Sequence, residues 1–403
     1  MKTIGIDARF WVEAGPGRYT KALVEHLQKI DTENNYVVFL REKGFSQFNP
    51  QNPNFRKVLA NYKWYSWEEQ ILFLWQILKY KLDLFYVPHF NIPVLYPRKI
   101  VTAIPDIIMH SFSTNRATTH TSLKFLIKKL AYHLVFLTAV ARSKKIIVPT
   151  ETVKKSFLAF YPFLKEKKLI VATEGIDPDF TKDTSVDYEK EVLAKYGINK
   201  QFLLFVGSMY RHKNIKKLID AFVILKNEYR YDGQLVLVGK RDYFSEEIEG
   251  YVKQMCQTQT ERIDSRNNDI ATRVGIKSND IILPGLKSYV EDSEIIALRK
   301  NAELYIFPSL QEGFSLTPLE GMTWGLPAVI SDIPCHKEVY GDSAEYFDPN
   351  DAGDIAKTVN KVLSDHELRE RLQKKGYERV KMYNWESTAK ITEEIFETVL
   401  QTY

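Results

Sequence analysis

An α/β chain built from two doubly wound domains in tandem is predicted by three observations. Short β-rich runs alternate with helical patterns through the first half, the same alternation restarts after residue 200, and the polar stretch Asp177–Lys190 separates the two series. Such alternation argues for parallel sheets covered by helices. At 403 residues, 44% hydrophobic and 27% charged, the chain has room for two cores.

The first series predicts strands at Thr3–Ile6, Tyr36–Leu40, Lys57–Leu59, Leu84–Val87, Ile100–Ile104, Lys145–Val148 and Leu169–Val171. The second predicts strands at Phe202–Val206, Leu235–Val238, Ile281–Leu283, Leu304–Phe307 and Ala328–Ile330. Domain boundaries are accordingly expected at 1–176, a linker at 177–199, a second domain at 200–385 and a last helix at 386–403, whose periodicity runs through Ala389, Ile391, Ile395, Phe396 and Val399. Gln257–Asn268 is polar and without pattern, and is read as a loop insertion.

Two cysteines, Cys256 and Cys335, supply neither a disulfide framework nor a metal cluster. No apolar run of about eighteen residues predicts a spanning helix. The strand beginning at Thr3 comes too early for a signal peptide, so a cytoplasmic location is expected. Charge is divided unevenly. Residues 1–175 hold 26 Lys and Arg against 13 Asp and Glu, and the remainder holds 30 against 38. A basic half favours anionic partners such as phosphates or lipid head groups, unless its lysines merely solvate outer helices.

The motifs follow strands, where ligands of doubly wound sheets bind. After the strand at Leu304–Phe307 come Glu312-Gly313-Phe314-Ser315-Leu316-Thr317-Pro318-Leu319-Glu320. Thr317 is placed as N-cap, Pro318 as first helical residue and Glu320 three residues after the cap. The amides of a helix beginning there can seat an anion, flanked by two carboxylates. Read alone, Glu320 equally closes a capping box and Glu312 is equally an ordinary loop acid. After the first strand, Gly15-Pro16-Gly17-Arg18-Tyr19 opens a helix through Leu27. In the second domain, Gly207-Ser208 ends a strand and Arg211-His212-Lys213-Asn214 precedes a helix at Ile215–Leu225, so cations stand ready for a pyrophosphate.

The string Glu-Gly-Phe-Ser-Leu-x-x-x-Glu, with Gly325-Leu326-Pro327 and Ser331-Asp332-Ile333-Pro334 after it, resembles the signature of retaining glycosyltransferases of family 4. Gly-Ser-x-x-x-x-Lys-Asn at 207–214 and the Gly-x-Gly-Arg-Tyr loop at 15–19 agree in order. The resemblance implies the GT-B fold, two Rossmann-like domains facing an interdomain cleft, with the final helix crossing back onto the first domain. It implies hexosyl transfer from a nucleoside diphosphate sugar, of GDP or UDP type, to a glycan or lipid-linked acceptor. No metal, no other cofactor and no nucleic acid is implied.

By the same resemblance, Glu312 faces the transferred sugar, Lys213 meets the diphosphate, and Asp106 belongs with them at the reaction centre. The donor is expected to contact Gly15, Gly17, Gly207, Ser208, Arg211, Gly313, Phe314, Ser315, Leu316 and Thr317, with Glu320 on the ribose. Arg18, Tyr19, His89, Asp106 and His110 are expected around the acceptor.

Three departures matter. Pro16 stands where a branched aliphatic is usual, and Ser208 stands where many relatives have arginine, a charge that Arg211 can supply. Pro105 replaces a histidine that in many relatives reaches the donor sugar, and proline carries no such donor. That replacement keeps an alternative open, a noncatalytic nucleotide-sugar-binding protein of the same fold. A glycosidase using Glu312 and Glu320 as acid and base is a second alternative, and a phosphorylase or nucleotide-sugar epimerase of the same architecture, whose chain length and cofactor-lysine signals are not evident here, is a third. The basic first half, with helix-like segments at Trp64–Tyr80 and Leu123–Thr138 carrying Trp64, Trp67, Trp75, Lys124, Lys128 and Lys129, suggests a peripheral position on the inner face of an anionic membrane.

Overall fold

Seven apolar runs of the first half lie side by side as β1 (Thr3–Asp7), β2 (Asn35–Leu40), β3 (Phe55–Leu59), β4 (Leu84–Val87), β5 (Ile100–Ala103), β6 (Lys145–Val148) and β7 (Leu169–Val171). A computed structural model describes residues 1–13, 15–108, 122–260, 276–277, 279–286 and 288–401. The seven strands form one sheet in the order β3-β2-β1-β4-β5-β6-β7, every neighbouring pair parallel. A second parallel sheet has the order β10-β9-β8-β11-β12-β13, from β8 (Phe202–Val206), β9 (Gln234–Val238), β10 (Ile281–Ile282), β11 (Leu304–Phe307), β12 (Ala328–Ser331) and β13 (Ala344–Phe347).

In chain order the helices among the described residues begin with α1 (Pro16–Ile30), α2 (Glu42–Gln47), α3 (Leu74–Lys79), α4 (Ser122–Arg142) and α5 (Glu151–Phe160). They continue with α6 (Val186–Tyr196), α7 (Ile215–Glu228), α8 (Tyr243–Thr260), α9 (Asp292–Asn301) and α10 (Leu316–Met322). The last are α11 (Pro334–Tyr340), α12 (Ala352–Ser364), α13 (His366–Val380) and α14 (Trp385–Gln401).

The chain divides into one unit of Met1–Gly175 with Tyr383–Tyr403 and another of Ile176–Met382. Alternation along β2 shows why the first sheet is covered on both faces. Val37 and Phe39 join a core with Phe73, Ile77, Phe136, Val140 and Phe157, beneath α3, α4 and α5. Tyr36, Val38 and Leu40 join the opposite core with Leu23, Val24 and Leu27 of α1 and Ala389, Ile395, Phe396 and Val399 of α14. With side chains alternating between faces, both sets leave water. The ring of Phe396 meets Tyr86 of β4 at 5.1 Å.

Three local expectations are corrected. The stretch 177–199, read as a linker, contains α6, capped by Ser185 and closed by Gly197 at φ 72°, and it belongs to the second unit. Helix α8 extends to Thr260, so the supposed insertion at 257–268 begins as helix, and its remaining residues lie outside those described. Strand β13 was not anticipated. It sits at the sheet edge, where Glu345 and Tyr346 are only half-buried and break the apolar run.

Candidate functional site

In each sheet the strand order reverses once, between β1 and β4 in the first and between β8 and β11 in the second. At such a switch point the connections leave in opposite directions and open a crevice beyond the carboxyl ends of the strands. The second unit brings the sequence-predicted Lys213 and Glu312 together at its switch point. Lys213 ends the short helical turn Arg211–Lys213 after β8, and Asn214, left-handed at φ 61°, turns the chain into α7. Glu312 lies in the loop after β11. The amide of Leu310 donates to the carbonyl of His212 at 2.7 Å and stitches the two loops together.

Lys213 Nζ donates to Glu312 Oε1 at 2.5 Å, with side chains 14% and 7% exposed. Burial pushes the Glu312 carboxyl up, yet the adjacent Lys213 ammonium holds it below its ordinary value. The ammonium also lies 5.0 Å from the centre of the Phe307 ring. A charged pair is thus fixed in a largely dry place.

The loop after Glu312 departs from expectation. Helix α10 begins at Leu316, and its N-cap is Ser315 rather than Thr317. Ser315 holds a positive φ of 74°, its carbonyl accepts from the Tyr340 hydroxyl, and its own hydroxyl is buried without a hydrogen-bond partner. A serine in that backbone region is uncommon and is held by its surroundings. Phe314 is buried, and its carbonyl accepts weakly from the Cys335 thiol.

Glu320 is 2% exposed, and its Oε2 accepts from Arg299, itself 1% exposed and stacked over Phe180 at 5.1 Å. The carboxylate therefore has a buried cation for company, and no capping box with Thr317 forms. Arg211 reaches Glu247 at 3.7 Å and is well exposed.

Sequence reasoning missed His336. It is fully buried, its Nδ1 donates to the Ser331 carbonyl at 2.9 Å, and its Nε2 has no hydrogen-bond partner. Burial lowers its pKa to about 4, against an opposing pull from Glu312. Also missed were Gly239 after β9 and Gly285 after β10. A side chain on Gly239 would press on the carbonyl of Gly207, and one on Gly285 would strike the carbonyl of Gly239. Backbone packs on backbone there, which only glycine permits.

In the first unit, Gly15 at φ 69° starts α1 with Pro16 in its first turn, and a side chain on Gly17 would run into the carbonyls of Phe10 and Trp11. Tyr19 faces inward. Its hydroxyl pairs with that of Tyr86 at 2.9 Å and its ring sits edge-on to Trp385. Asp106 Oδ1 accepts from the amide of Ile108 at 2.8 Å, closing a turn after Pro105. His89 follows β4, and His110 lies outside the described residues. Trp64, considered for lipid contact, instead stacks on Phe10 at 4.5 Å and receives the Arg41 guanidinium.

Residues 284–379 match the family model of glycosyl transferases group 1. The chain is 27% identical over 243 residues to the serotype-specific mannosyltransferase WbdA of Escherichia coli, covering 60% of this chain and 27% of that protein. It is 31% identical over 197 residues to the O-antigen chain mannosyltransferase B of Escherichia coli, covering 49% of this chain and 46% of that one. The chain thus spans about a quarter of the first relative and about half of the second. Among solved structures it superposes on Anabaena Alr3699/HepE, crystallised with UDP and glucose, with a TM-score of 0.70 and 15% identity over 99% of this chain and 100% of that one. By its matched segment and its two sheets, the chain carries a group 1 glycosyltransferase domain on a GT-B fold.

Proposed function

We propose that the chain is a retaining family 4 glycosyltransferase that moves a hexose, of mannose or glucose type, from a nucleoside diphosphate sugar to a hydroxyl of a glycan or lipid-linked acceptor. The observation that carries this reading is the Lys213–Glu312 pair at the switch point of the second sheet. The names of the mannosyltransferase relatives and of the UDP complex support a sugar-nucleotide donor.

In this reading Lys213 and the amides of residues 313–317 meet the diphosphate as negative charge grows on it. Glu312 then exchanges its lysine for contact with the transferred sugar. The bond between the anomeric carbon and the leaving oxygen breaks, the acceptor oxygen bonds the same face, and its proton passes to the departing phosphate. Ribose hydroxyls would have to share the Glu320 carboxylate with Arg299. No metal is required, because fixed ammonium and amide groups supply the positive potential.

A panel of nucleotide sugars screened by thermal shift identifies the donor, since a ligand that binds only the folded chain raises its melting temperature. Lys213→Ala is expected to weaken donor binding about tenfold or more, and Glu312→Gln to lower turnover with smaller change in donor affinity. Both effects should persist with chelator present, and product NMR should show the anomeric configuration kept. Unchanged nucleoside diphosphate binding in Lys213→Ala would end this site assignment. Donor binding without transfer to any acceptor would instead favour the noncatalytic reading.

A peripheral position on an anionic membrane is part of the same proposal. Among the described residues no helix is long and apolar enough to cross a bilayer. The first unit nevertheless exposes Trp67, Ile71 and Trp75 at one-turn spacing, and Leu130, Leu134 and Leu137 along α4. Apolar stripes on a basic unit suit an interface of acyl chains and anionic head groups. Flotation with vesicles containing phosphatidylglycerol should recover the chain, neutral vesicles should not, and Trp67→Ser with Trp75→Ser should reduce recovery.

A further inference from the structure

The first unit buries a charged chain of side chains at its own switch point. Asp7 closes β1 and Arg9 follows it; both are 1% exposed. Arg9 grips Asp7 with two hydrogen bonds, Nε to Oδ1 at 2.8 Å and Nη2 to Oδ2 at 2.7 Å, and Nη2 also donates to Oε1 of Glu69. The guanidinium lies over the Phe73 ring, 3.9 Å from its centre. Glu69, fully buried, accepts through Oε2 from the Asn91 side chain at 2.6 Å and from the Tyr65 amide at 3.1 Å. Asn91, 1% exposed, then donates its backbone amide to Nδ1 of His89 at 3.3 Å.

The last bond decides the chemistry of His89. An imidazole whose Nδ1 accepts carries its proton on Nε2 when neutral. Burial favours that neutral form over the attraction of Asp7. Phe10 at 5.0 Å and Phe90 at 4.2 Å hold the ring between them, yet the residue keeps part of its surface in solvent. Since β1 and β4 flank the strand-order reversal, Asp7 and His89 sit at the two lips of the first crevice. Burying two carboxylates and a guanidinium is costly, and packing alone is served as well by apolar side chains.

We infer that His89 is a neutral hydrogen-bond donor, through Nε2, to a hydroxyl of the acceptor sugar, and that Asn91, Glu69, Arg9 and Asp7 are positioning residues that fix its tautomer. The inference rests on the transferase reading for the identity of the hydroxyl, and not for the tautomer.

The full chain labelled with 15N-histidine, observed at pH 7 by long-range proton–nitrogen correlation, tests it. His89 should show the neutral Nε2-protonated pattern, and Asn91→Ala and Glu69→Gln should each mix in the other tautomer. A charged or Nδ1-protonated His89 in the parent, or parent-like patterns in Asn91→Ala, overturns the network; Asn91→Ala suffices if Glu69→Gln does not fold. Methyl α-mannopyranoside, titrated as a probe hydroxyl, should shift the His89 Nε2 resonance saturably, and no shift overturns the donor role. With a working transfer assay, His89→Ala should raise the acceptor KM about five- to tenfold with little change in donor affinity, and an unchanged acceptor KM overturns it. Absence of transfer by the parent chain would count against the transferase reading while the resonance results still judge this one.

Discussion

Arg299 alters how the second carboxylate of the signature must be tested. Removing Glu320 leaves a fully buried guanidinium without its anion, and loss of one partner of such a pair costs about 3–5 kcal/mol. Glu320→Ala is therefore expected to lower stability in denaturant titrations before it reports on ligand binding. Glu320→Gln keeps the shape and one acceptor, so it should remain folded while its affinity for UDP or GDP, measured by calorimetry, falls. If Gln binds both nucleotides as the parent does, the ribose assignment fails at a site that is still intact. The contrast with Lys213 is physical: the lysine side chain is 14% exposed, whereas Glu320 is buried against Arg299.

At the scale of elements, the start of α1 is sensitive to a single methyl group. Gly17→Ala must displace the carbonyls of Phe10 and Trp11 or move the start of α1, at a cost of about 1–3 kcal/mol. The expected outcome is a lower melting temperature together with weaker donor binding, whereas Gly250→Ala, inside α8 where a methyl group meets open space, should leave donor binding unchanged and raise stability by about 1 kcal/mol. Elements also show what was legible beforehand. Central strands such as β4 and β8 bury every residue, so their unbroken apolar runs announce them. The edge strand β13 and the true start of α10 gave no such signal, because one is half-solvated and the other depends on a Tyr340 hydroxyl reaching Ser315 from 25 residues away. Lys213 and Glu312 were readable because each follows a strand within a local motif. The Arg9–Glu69–Asn91 network was not, since its bonds span 60 and 22 residues and leave no local trace.

For the whole molecule, acid should be the destabilising direction. His89 and His336 are each depressed by burial to about 4, below the ordinary histidine value near 6.5. The unfolded chain thus binds protons first, so their contribution is full above about pH 6.5 and is lost as pH falls toward 4, on the order of 2–3 kcal/mol for each. Glu312, held below its ordinary value by Lys213 despite burial, works in the same sense at lower pH, while Glu69, raised by burial, opposes them. Melting temperature against pH should be flat from 7 to 8 and fall below 6, and His336→Gln should flatten part of that slope. A curve that instead falls as pH rises from 5 to 7 would contradict both histidine environments.

Helix α14 gives the first unit a wall drawn from the far end of the chain, with Ala389, Ile395, Phe396 and Val399 closing one of its two cores. During synthesis the opening 175 residues emerge long before that wall exists. The nascent amino-terminal sheet must wait, one greasy flank uncovered, until translation has passed residue 401, and it is over that interval that holding factors or proteases have their chance at it.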